Sequence, residues 1–342
     1  MTTAGLRWTV LRSHPDSVLE RRWKECLANA DYPAGLMMPE YLQEPNEGGN
    51  RFAVLAMTEE HVMGVLTGIR EGTRLSSGQA ARPQVCCRAA SDKDQVALAL
   101  ASGLRELWGD AKLITLHSWT PMPGFEQAGY RMRPSSGEHG LIMLDLAEGP
   151  DRLFAGFSQT RRNEIRQAIK AGVEVTTAAA PAELQEFYEI FVGWCKRKGV
   201  PPTSYETMVR ELAEEATLFL AKLEGKILAG SAFRSCPGGI AEYSANFSGP
   251  ESQPYKANGL LVWRGIEWAH REGHRFFSLG AAHPFLQRFG GQYLTTYRYQ
   301  VDRTLIRSYE LKEALVRLRT QMARPLPVRL RKAIKRVLGM NR

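Results

Sequence analysis

The stretch Ile240-Ala-Glu-Tyr-Ser-Ala-Asn-Phe247 is typical of a β-strand, and the turn residues Ser248-Gly249-Pro250 end it. A helix opens at Tyr255-Lys-Ala-Asn-Gly-Leu260 and continues to Arg271. A second short strand, Arg275-Phe-Phe-Ser-Leu279, follows that helix. This order favours an α+β layer in which helices cover a mixed sheet.

The same order of elements occurs twice along the chain. The first half holds a hairpin at 51–69, a helix at Asp94–Trp108 and a strand at Leu113–Leu116, and the second half holds a hairpin at Leu218–Phe233 before the elements just described. Phe52 aligns with Leu218 and His61 with Lys226, at offsets of 166 and 165 residues. Both halves are predicted to end in antiparallel strands, Tyr130–Arg133 with Leu141–Leu146 and Tyr293–Val301 with Leu305–Tyr309.

These repeats predict an α+β fold of two tandem units, each with a mixed, largely antiparallel sheet flanked by helices. Further helices are predicted at Pro15–Ala28, Ser158–Ala171 and Pro181–Lys198. We expect one unit at residues 1–150, a second at 151–310 that holds the donor site, and a basic amphipathic C-terminal helix within a tail at 311–342.

The composition is that of a globular chain of 342 residues, with 44% hydrophobic and 24% charged residues. The net charge of +9 lies in the tail, because residues 311–342 hold ten Lys or Arg and one acid. No export signal is recognisable and no cysteines form a CxxC pair, so we expect a cytoplasmic protein with free thiols and no metal site. The cysteines are Cys26, Cys86, Cys87, Cys195 and Cys236.

The start of the second-half helix is the first candidate site. A helix that opens after a strand presents free backbone N–H groups and the positive end of its dipole, which suits a phosphate. Asn258 is predicted as the N-cap, Gly259 permits close approach, and Lys256 adds a positive charge. We therefore predict Lys256, Asn258, Gly259 and Leu260 as donor-binding residues, with an ordinary helix start as the alternative.

A basic helix around residues 160–173 is the second candidate. Arg162, Arg166 and Lys170 recur every four residues, beside an apolar stripe of Ile165 and Ile169. Three aligned cations suit an anionic substrate, and a solvated helix face is the alternative.

The third candidate is the loop Ser278–Gln292, which follows a strand and contains His283 and Arg288. His283 is predicted as a general base and Arg288 as a stabiliser of a developing oxyanion. The alternative is that His283-Pro284 merely forms a turn.

A family resemblance rests on the tandem units and on three segments: Arg161–Val173, the end of the later helix at Trp268–Gly273, and Phe187–Leu212 with Tyr205. In these features the sequence resembles the Fem-type peptidyltransferases and related tandem acyltransferases of the GNAT-like superfamily. The resemblance implies acyl-CoA or aminoacyl-tRNA as the donor, no metal, and an envelope-related acceptor. It assigns Arg162, Arg166 and Lys170 to acceptor phosphates, and we add Tyr205, Tyr243 and Asn246 to the predicted substrate-binding residues.

The loop departs from the family pattern, because the acid after the late strand is absent and Leu286 stands where the family has Lys, unless Arg288 replaces it. A non-catalytic, membrane-associated adaptor therefore remains an alternative to an acyltransferase. Residues 326–338 predict a basic amphipathic helix, for which an anionic inner-membrane surface, tRNA phosphates and a packed helix with a solvated face are the three interpretations.

Overall fold

The computed structural model describes residues 5–43, 50–134 and 140–323. Its strands are β1 (Arg7–Leu11), β2 (Asn50–Met57), β3 (Val62–Glu71), β4 (Arg74–Ser77), β5 (Val85–Cys87), β6 (Leu113–Ser118), β7 (Arg131–Pro134), β8 (Leu141–Asp145), β9 (Glu174–Thr177), β10 (Thr217–Leu223), β11 (Lys226–Ser235), β12 (Ile240–Ser248), β13 (Phe276–Ala281), β14 (Gln292–Leu294) and β15 (Tyr297–Asp302).

Its α-helices are α1 (Ser17–Ala28), α2 (Lys93–Glu106), α3 (Gly124–Gln127), α4 (Pro150–Gly156), α5 (Gln159–Lys170), α6 (Pro181–Lys198), α7 (Tyr205–Glu215), α8 (Ala257–Arg271), α9 (Pro284–Gln287) and α10 (Ser308–Ala323). No helix within the described ranges combines the length and the apolar character that crossing a bilayer requires. The helix predicted at 326–338 lies outside the described residues.

The strands form two mixed sheets. The first has the order β1-β2-β3-β4-β6-β15-β7, with β5 between β3 and β6, and the second has the order β14-β8-β13-β12-β11-β10-β9. Most neighbours are antiparallel, and each sheet has one place where a helix crosses over between parallel strands: β4 and β5 with β6, and β12 with β13. The predicted α+β fold of two similar, largely antiparallel sheets is confirmed.

The two units exchange their terminal strands, so both terminal hairpins predicted from the sequence are wrong. β7 pairs with β15 from the second half, and β8 pairs with β13 and β14 in the second sheet. β8 is buried on both faces, since Ile142 and Leu144 enter the core under α8 while Leu141 and Met143 enter the core between the sheets. An apolar strand of this kind is stable only in the interior of a covered sheet.

The segment around residues 305–309 is also not a strand. Leu305 and Ile306 lie in a turn, and α10 begins at Ser308. The Asp302 carboxylate accepts hydrogen bonds from the N–H groups of Tyr309 (2.9 Å) and Glu310 (3.0 Å), which satisfies donors that a helix start leaves open.

The core consists of apolar clusters on both sides of each sheet. One cluster packs α2 against the first sheet, a second packs α8 against the second sheet, and a third joins the two sheets with α1. A fourth cluster covers β10 and β11 with α6 and α7. All five cysteines are buried free thiols.

Candidate active site

The second sheet opens where β12 and β13 separate. The two strands pair in parallel only from Ile240 to Glu242 on β12, opposite Phe276 to Ser278 on β13. β12 then continues to Ser248, and the register with β11 shifts between Ala232 and Phe233. Among the described strands, none pairs with residues 243–248 on the β13 side, so this backbone edge is available to an extended ligand.

Helix α8 begins beside this opening, without a side-chain cap from the described residues. Its N-cap residue is Lys256, whose φ of 56° is left-handed, so the prediction that Asn258 caps the helix is wrong. Asn258 lies one residue inside the helix and donates from Nδ2 to Ser248 Oγ (3.3 Å), which ties the helix start to the end of β12. Lys256 is exposed, and the first-turn N–H groups favour an anion.

The corresponding helix of the first sheet is closed to an anion. The Asp92 carboxylate caps α2 by accepting from the N–H groups of Asp94 (3.0 Å) and Gln95 (3.2 Å). Asp94 adds a second carboxylate in the first turn of α2, and two negative charges at a helix start repel a phosphate. Of the two crossovers, the one in the second sheet is therefore suited to an anionic donor.

A buried arginine supports the start of α8. The Arg161 side chain is 2% exposed, and its Nη1 donates to Glu164 Oε2 (2.7 Å) while Nη2 donates to the carbonyl of Phe285 (2.8 Å). Its guanidinium lies 4.2 and 4.5 Å from the ring centroids of Phe285 and Phe289. A Cβ on Gly259 would lie 2.8 Å from Arg161 Nη1, so glycine permits this contact.

Burial lowers the pKa of Arg161 to about 10, although the Glu164 carboxylate opposes this shift. Sequence reasoning missed this residue. A signal was present, because Arg161 shares the buried face of α5 with Ile165 and Ala168 at helical spacing.

The predicted basic face of α5 performs several different tasks. Arg162 donates to the carbonyls of Ala155 (2.7 Å) and Phe157, which fixes the end of α4. The Arg166 guanidinium lies 5.5 Å from the ring centroid of Phe154, and Lys170 is exposed. The hydrogen bonds of Arg162 therefore have a structural role, whereas Arg166 and Lys170 lie at the surface.

Ile165 is buried as expected, whereas Ile169 is 48% exposed, so the predicted apolar stripe does not extend to it.

The loop after β13 is held against α5. His283 is exposed, and its Nδ1 accepts the N–H of Phe285 (3.2 Å) as the cap of α9. Arg288 lies 3.5 Å from Glu164 Oε1 in an ion pair that is shared with Arg161. Because Nδ1 accepts this hydrogen bond, the neutral imidazole of His283 carries its proton on Nε2 and presents Nε2–H as a donor. The charge of Arg288 is partly compensated by Glu164.

The other predicted binding residues are divided between this opening and the outer layer. Tyr243 on β12 packs against Phe233 on β11, and burial raises the pKa of the Tyr243 hydroxyl. Asn246 donates from Nδ2 to Ser231 Oγ (2.7 Å) within the sheet. Tyr205 packs edge-on against Tyr188 at the start of α7, in the outer cluster.

Leu260 is fully buried in the core under α8, which gives it a packing role.

A cavity of about 520 Å³ lies between the two sheets next to the bulge of β12. Its lining includes Arg82 from the first unit and Arg234, Ser244 and Ala245 from the second. Arg82 Nη2 donates to the carbonyl of Ser244 (2.6 Å), so a cation of the first unit reaches the point where β12 leaves β13.

The carboxyl group of Glu242 is buried beside these arginines. Burial raises its pKa, although Arg82 and Arg234 oppose the shift. Its Oε1 has no hydrogen-bond partner among the described residues. Sequence reasoning missed this cavity because its residues come from distant strands and follow no local spacing.

Across the described ranges, no three His, Cys, Asp or Glu side chains are arranged to hold a metal ion.

Three comparisons with known proteins bear on this geometry. Residues 155–300 match the family described as acetyltransferase (GNAT) domain. No curated protein matches the chain significantly.

Among solved structures, the chain is similar to FemX, with 12% identity, a TM-score of 0.66, and coverage of 85% of this chain and 98% of FemX. It is also similar to L-PGS from Bacillus licheniformis, with 13% identity, a TM-score of 0.59, and coverage of 90% and 97%. A tandem GNAT protein from the clavulanic acid biosynthesis pathway is 15% identical, with a TM-score of 0.55 and coverage of 87% and 99%.

The chain thus has the tandem GNAT fold that the resemblance to Fem-type proteins implied. The match of residues 155–300 to the acetyltransferase (GNAT) domain, together with this fold, supports an acyltransferase as the class of protein.

Proposed function

We propose that this protein transfers an acyl group from acyl-CoA to an amine or hydroxyl of an anionic, envelope-related acceptor. The observation that carries the proposal is the separation of β12 from β13 beside the uncapped start of α8. An extended pantetheine arm fits the free edge of residues 243–248, and the donor phosphates fit the first turn of α8 beside Lys256.

Catalysis in this arrangement depends on positioning. The acceptor nitrogen or oxygen attacks the thioester carbonyl carbon, a C–N or C–O bond forms, and the C–S bond breaks. Backbone N–H groups at the bulge of β12 stabilise the carbonyl oxygen as it becomes negative. The proton lost by the acceptor passes through water to the departing thiolate, so no further reactant is needed.

The inter-sheet cavity is the proposed acceptor site. It adjoins Ser244 and Ala245 on β12, on the side where Arg82 and Arg234 lie. Two guanidinium groups suit phosphate or carboxylate recognition, and the buried Glu242 is positioned near the same arginines. The envelope connection rests on the likeness to FemX and L-PGS, and the predicted basic helix at 326–338 adds an inner-membrane location to the proposal.

Thermal unfolding with and without millimolar CoA or acetyl-CoA tests the donor. A ligand present at about 100 times its dissociation constant stabilises the folded state by roughly 2.7 kcal/mol. With an unfolding entropy of roughly 2.1 cal/mol/K per residue, this corresponds to about 4 °C for a chain of 342 residues.

The Asn258→Asp variant makes the test specific. A carboxylate at the start of α8 repels the donor phosphates. The variant also loses the hydrogen bond from Asn258 Nδ2 to Ser248 Oγ, which offsets the favourable interaction of the new charge with the helix dipole. We therefore expect a melting temperature without ligand that is no higher than that of the wild type, and a smaller shift with CoA. Asn163→Asp, which adds the same charge at an exposed position of α5, is the matched control and is expected to keep the full shift.

The remaining outcomes separate the alternatives. No shift with CoA but a shift with aminoacyl-tRNA would replace the donor by the Fem-like aminoacyl-tRNA-dependent reaction. No response to either donor would favour the non-catalytic adaptor. An unchanged CoA shift in Asn258→Asp would contradict the site while leaving the donor class intact.

A further inference from the structure

Two aliphatic side chains protrude from the turn between β15 and α10. Leu305 is 105% exposed and Ile306 is 74% exposed, the two highest values among the large apolar residues of the described chain. On the following helix, Leu311 and Leu315 are 52% and 57% exposed. Contiguous exposed apolar residues of this kind mark an interaction surface.

The turn is held firmly by the fold. The Asp302 carboxylate accepts from Thr304 Oγ1 (2.7 Å) and from the N–H groups of Tyr309 and Glu310. Arg303 Nη1 donates to the carbonyls of Gly109 (3.0 Å) and Ala111 (2.9 Å) in the turn between α2 and β6. Leu305 and Ile306 are therefore presented to the outside by a fixed support.

Helix α10 separates its charges by sign. Glu310 faces the first sheet and pairs with Arg131 (2.9 Å) and Arg133 (3.0 Å), and Glu313 pairs with Arg298 (2.8 Å). At 100° per residue, the opposite face carries Leu311, Lys312 and Leu315. The outer face of α10 is thus apolar and positive, while its acids are used inside.

The charge balance of the C-terminal part identifies the partner. Residues 303–342 contain twelve Lys or Arg and two acids, and those two acids are the inward-facing Glu310 and Glu313. The 19 residues after α10 add seven cations and no acid. Apolar side chains surrounded by cations match the interface of a bilayer with anionic headgroups.

We propose that the Leu305–Ile306 turn and the outer face of α10 form a surface that docks onto an anionic lipid bilayer. Leu305 and Ile306 enter the boundary between headgroups and acyl chains, and Arg307 and Lys312 contact the headgroups. This extends the membrane location in the proposed function to described residues, and acyl transfer itself does not depend on it.

Co-sedimentation of the full chain with vesicles tests the proposal. The wild type is expected to bind phosphatidylcholine vesicles that contain phosphatidylglycerol, to bind phosphatidylcholine alone much less, and to be released by salt. The double variant Leu305→Ser with Ile306→Ser is expected to lose at least about tenfold in partitioning, because it removes the inserted apolar groups. The double variant Val18→Ser with Val200→Ser, at positions 50% and 44% exposed, is the control and is expected to bind as the wild type.

The melting temperature and the CoA-induced shift are measured for each variant. Both are expected to remain unchanged in Leu305→Ser with Ile306→Ser, since these side chains are exposed, so a failure of membrane binding is distinguishable from a failure of the donor site. Equal binding to both vesicle types, no binding by the wild type, or full binding by the turn variant would overturn the proposal. A self-association that the turn variant abolishes, without lipid binding, would assign the surface to a second copy of the chain.

Discussion

Replacing Arg161 by Met tests whether the buried guanidinium supports the candidate active site. The substitution removes the ion pair with Glu164 and the hydrogen bond to the carbonyl of Phe285, and it replaces two cation–π contacts by thioether–aromatic contacts. Met is similar in length and fills much of the same space, so the effect reports mainly on charge and hydrogen bonding.

The expected cost is about 2–4 kcal/mol of unfolding free energy. Breaking a buried ion pair costs about 3–5 kcal/mol when the remaining charge has no other partner. Glu164 is 20% exposed and keeps Arg288 at 3.5 Å, which reduces this cost. The Phe285 carbonyl loses its hydrogen bond, which adds about 1–3 kcal/mol to the cost. The variant no longer has to bury a charged guanidinium, and this gain offsets part of the total cost.

Urea and thermal unfolding of Arg161→Met and Arg166→Met, side by side with the wild type, provide the assay. Arg166 is exposed on the same helix and contacts only the Phe154 ring among the interactions described above, so its substitution is expected to cost less than about 0.5 kcal/mol. At roughly 0.7 kcal/mol/K for the whole chain, the Arg161 variant should melt about 3–6 °C lower.

An Arg161→Met variant no less stable than Arg166→Met would refute the reasoning. A normal CoA shift in a destabilised Arg161→Met variant would confine the role of this residue to stability.

Three further outcomes can be measured by unfolding. Burial lowers the pKa of His117 to about 4, and the positive charge of Arg298 adds to this effect. The unfolded chain therefore takes up a proton below about pH 6.5 while the folded chain does not, and the free energy of unfolding falls by up to about 3 kcal/mol by pH 4. His117→Gln should lack this loss, and parallel stability–pH curves for the two proteins would contradict it. Because burial raises the pKa of Glu242, the folded wild type loses stability relative to the unfolded chain as the pH rises. The gain in unfolding free energy from Glu242→Gln should therefore be larger at about pH 8 than at about pH 5. A gain that shrinks as the pH rises would contradict the raised pKa. A Cβ on Gly265 would lie 2.4 Å from the Phe233 ring, so Gly265→Ala should lower the free energy of unfolding by about 1–3 kcal/mol. Gly193→Ala, whose new Cβ has its nearest contact at 3.5 Å, should raise the free energy of unfolding by about 0.5–1 kcal/mol. Equal effects of the two substitutions would exclude overpacking as the cause.

Local patterns were sufficient to predict helices α1, α2, α5, α6 and α8 and the hairpins β2–β3 and β10–β11. Pro181–Lys198 is a helix with the predicted bounds, and the helix predicted to open within Tyr255–Leu260 and to end at Arg271 spans Ala257–Arg271. Such elements follow from apolar spacing and turn residues, which are properties of neighbouring residues.

Strand partners were not predictable in the same way. The sequence is equally compatible with a hairpin between 130–133 and 141–146, because adjacent strands usually pair. The run Leu141–Leu144 did carry a signal, since four consecutive apolar residues indicate a strand covered on both faces. Which strands flank it depends on contacts more than 100 residues away, at Phe276–Ala281 and Gln292–Leu294.

The strand–helix crossover at the candidate site was predicted from the sequence, whereas the contacts of its side chains were not. The crossover after β12 was found from the order of strand and helix, and the left-handed Lys256 displaced Asn258 from the cap. Adjacent arginines on a helix point about 100° apart, so whether Arg161 or Arg162 faces the core depends on how the helix is rotated about its axis. The buried positions of Ile165 and Ala168 fix this rotation and place Arg161 on the buried face.

The strand exchange explains how residues of both units meet at one site. β15 is held within the first sheet by the fully buried Tyr299, whose hydroxyl accepts the N–H of Met122 (2.7 Å), and β8 is held within the second. The sheets are therefore fixed relative to each other, and Arg82 of the first unit stays at the bulge of β12. With the helix start of the first sheet closed by Asp92, the first unit contributes this arginine and one wall of the cavity, while the second contributes the opening that we propose for the donor.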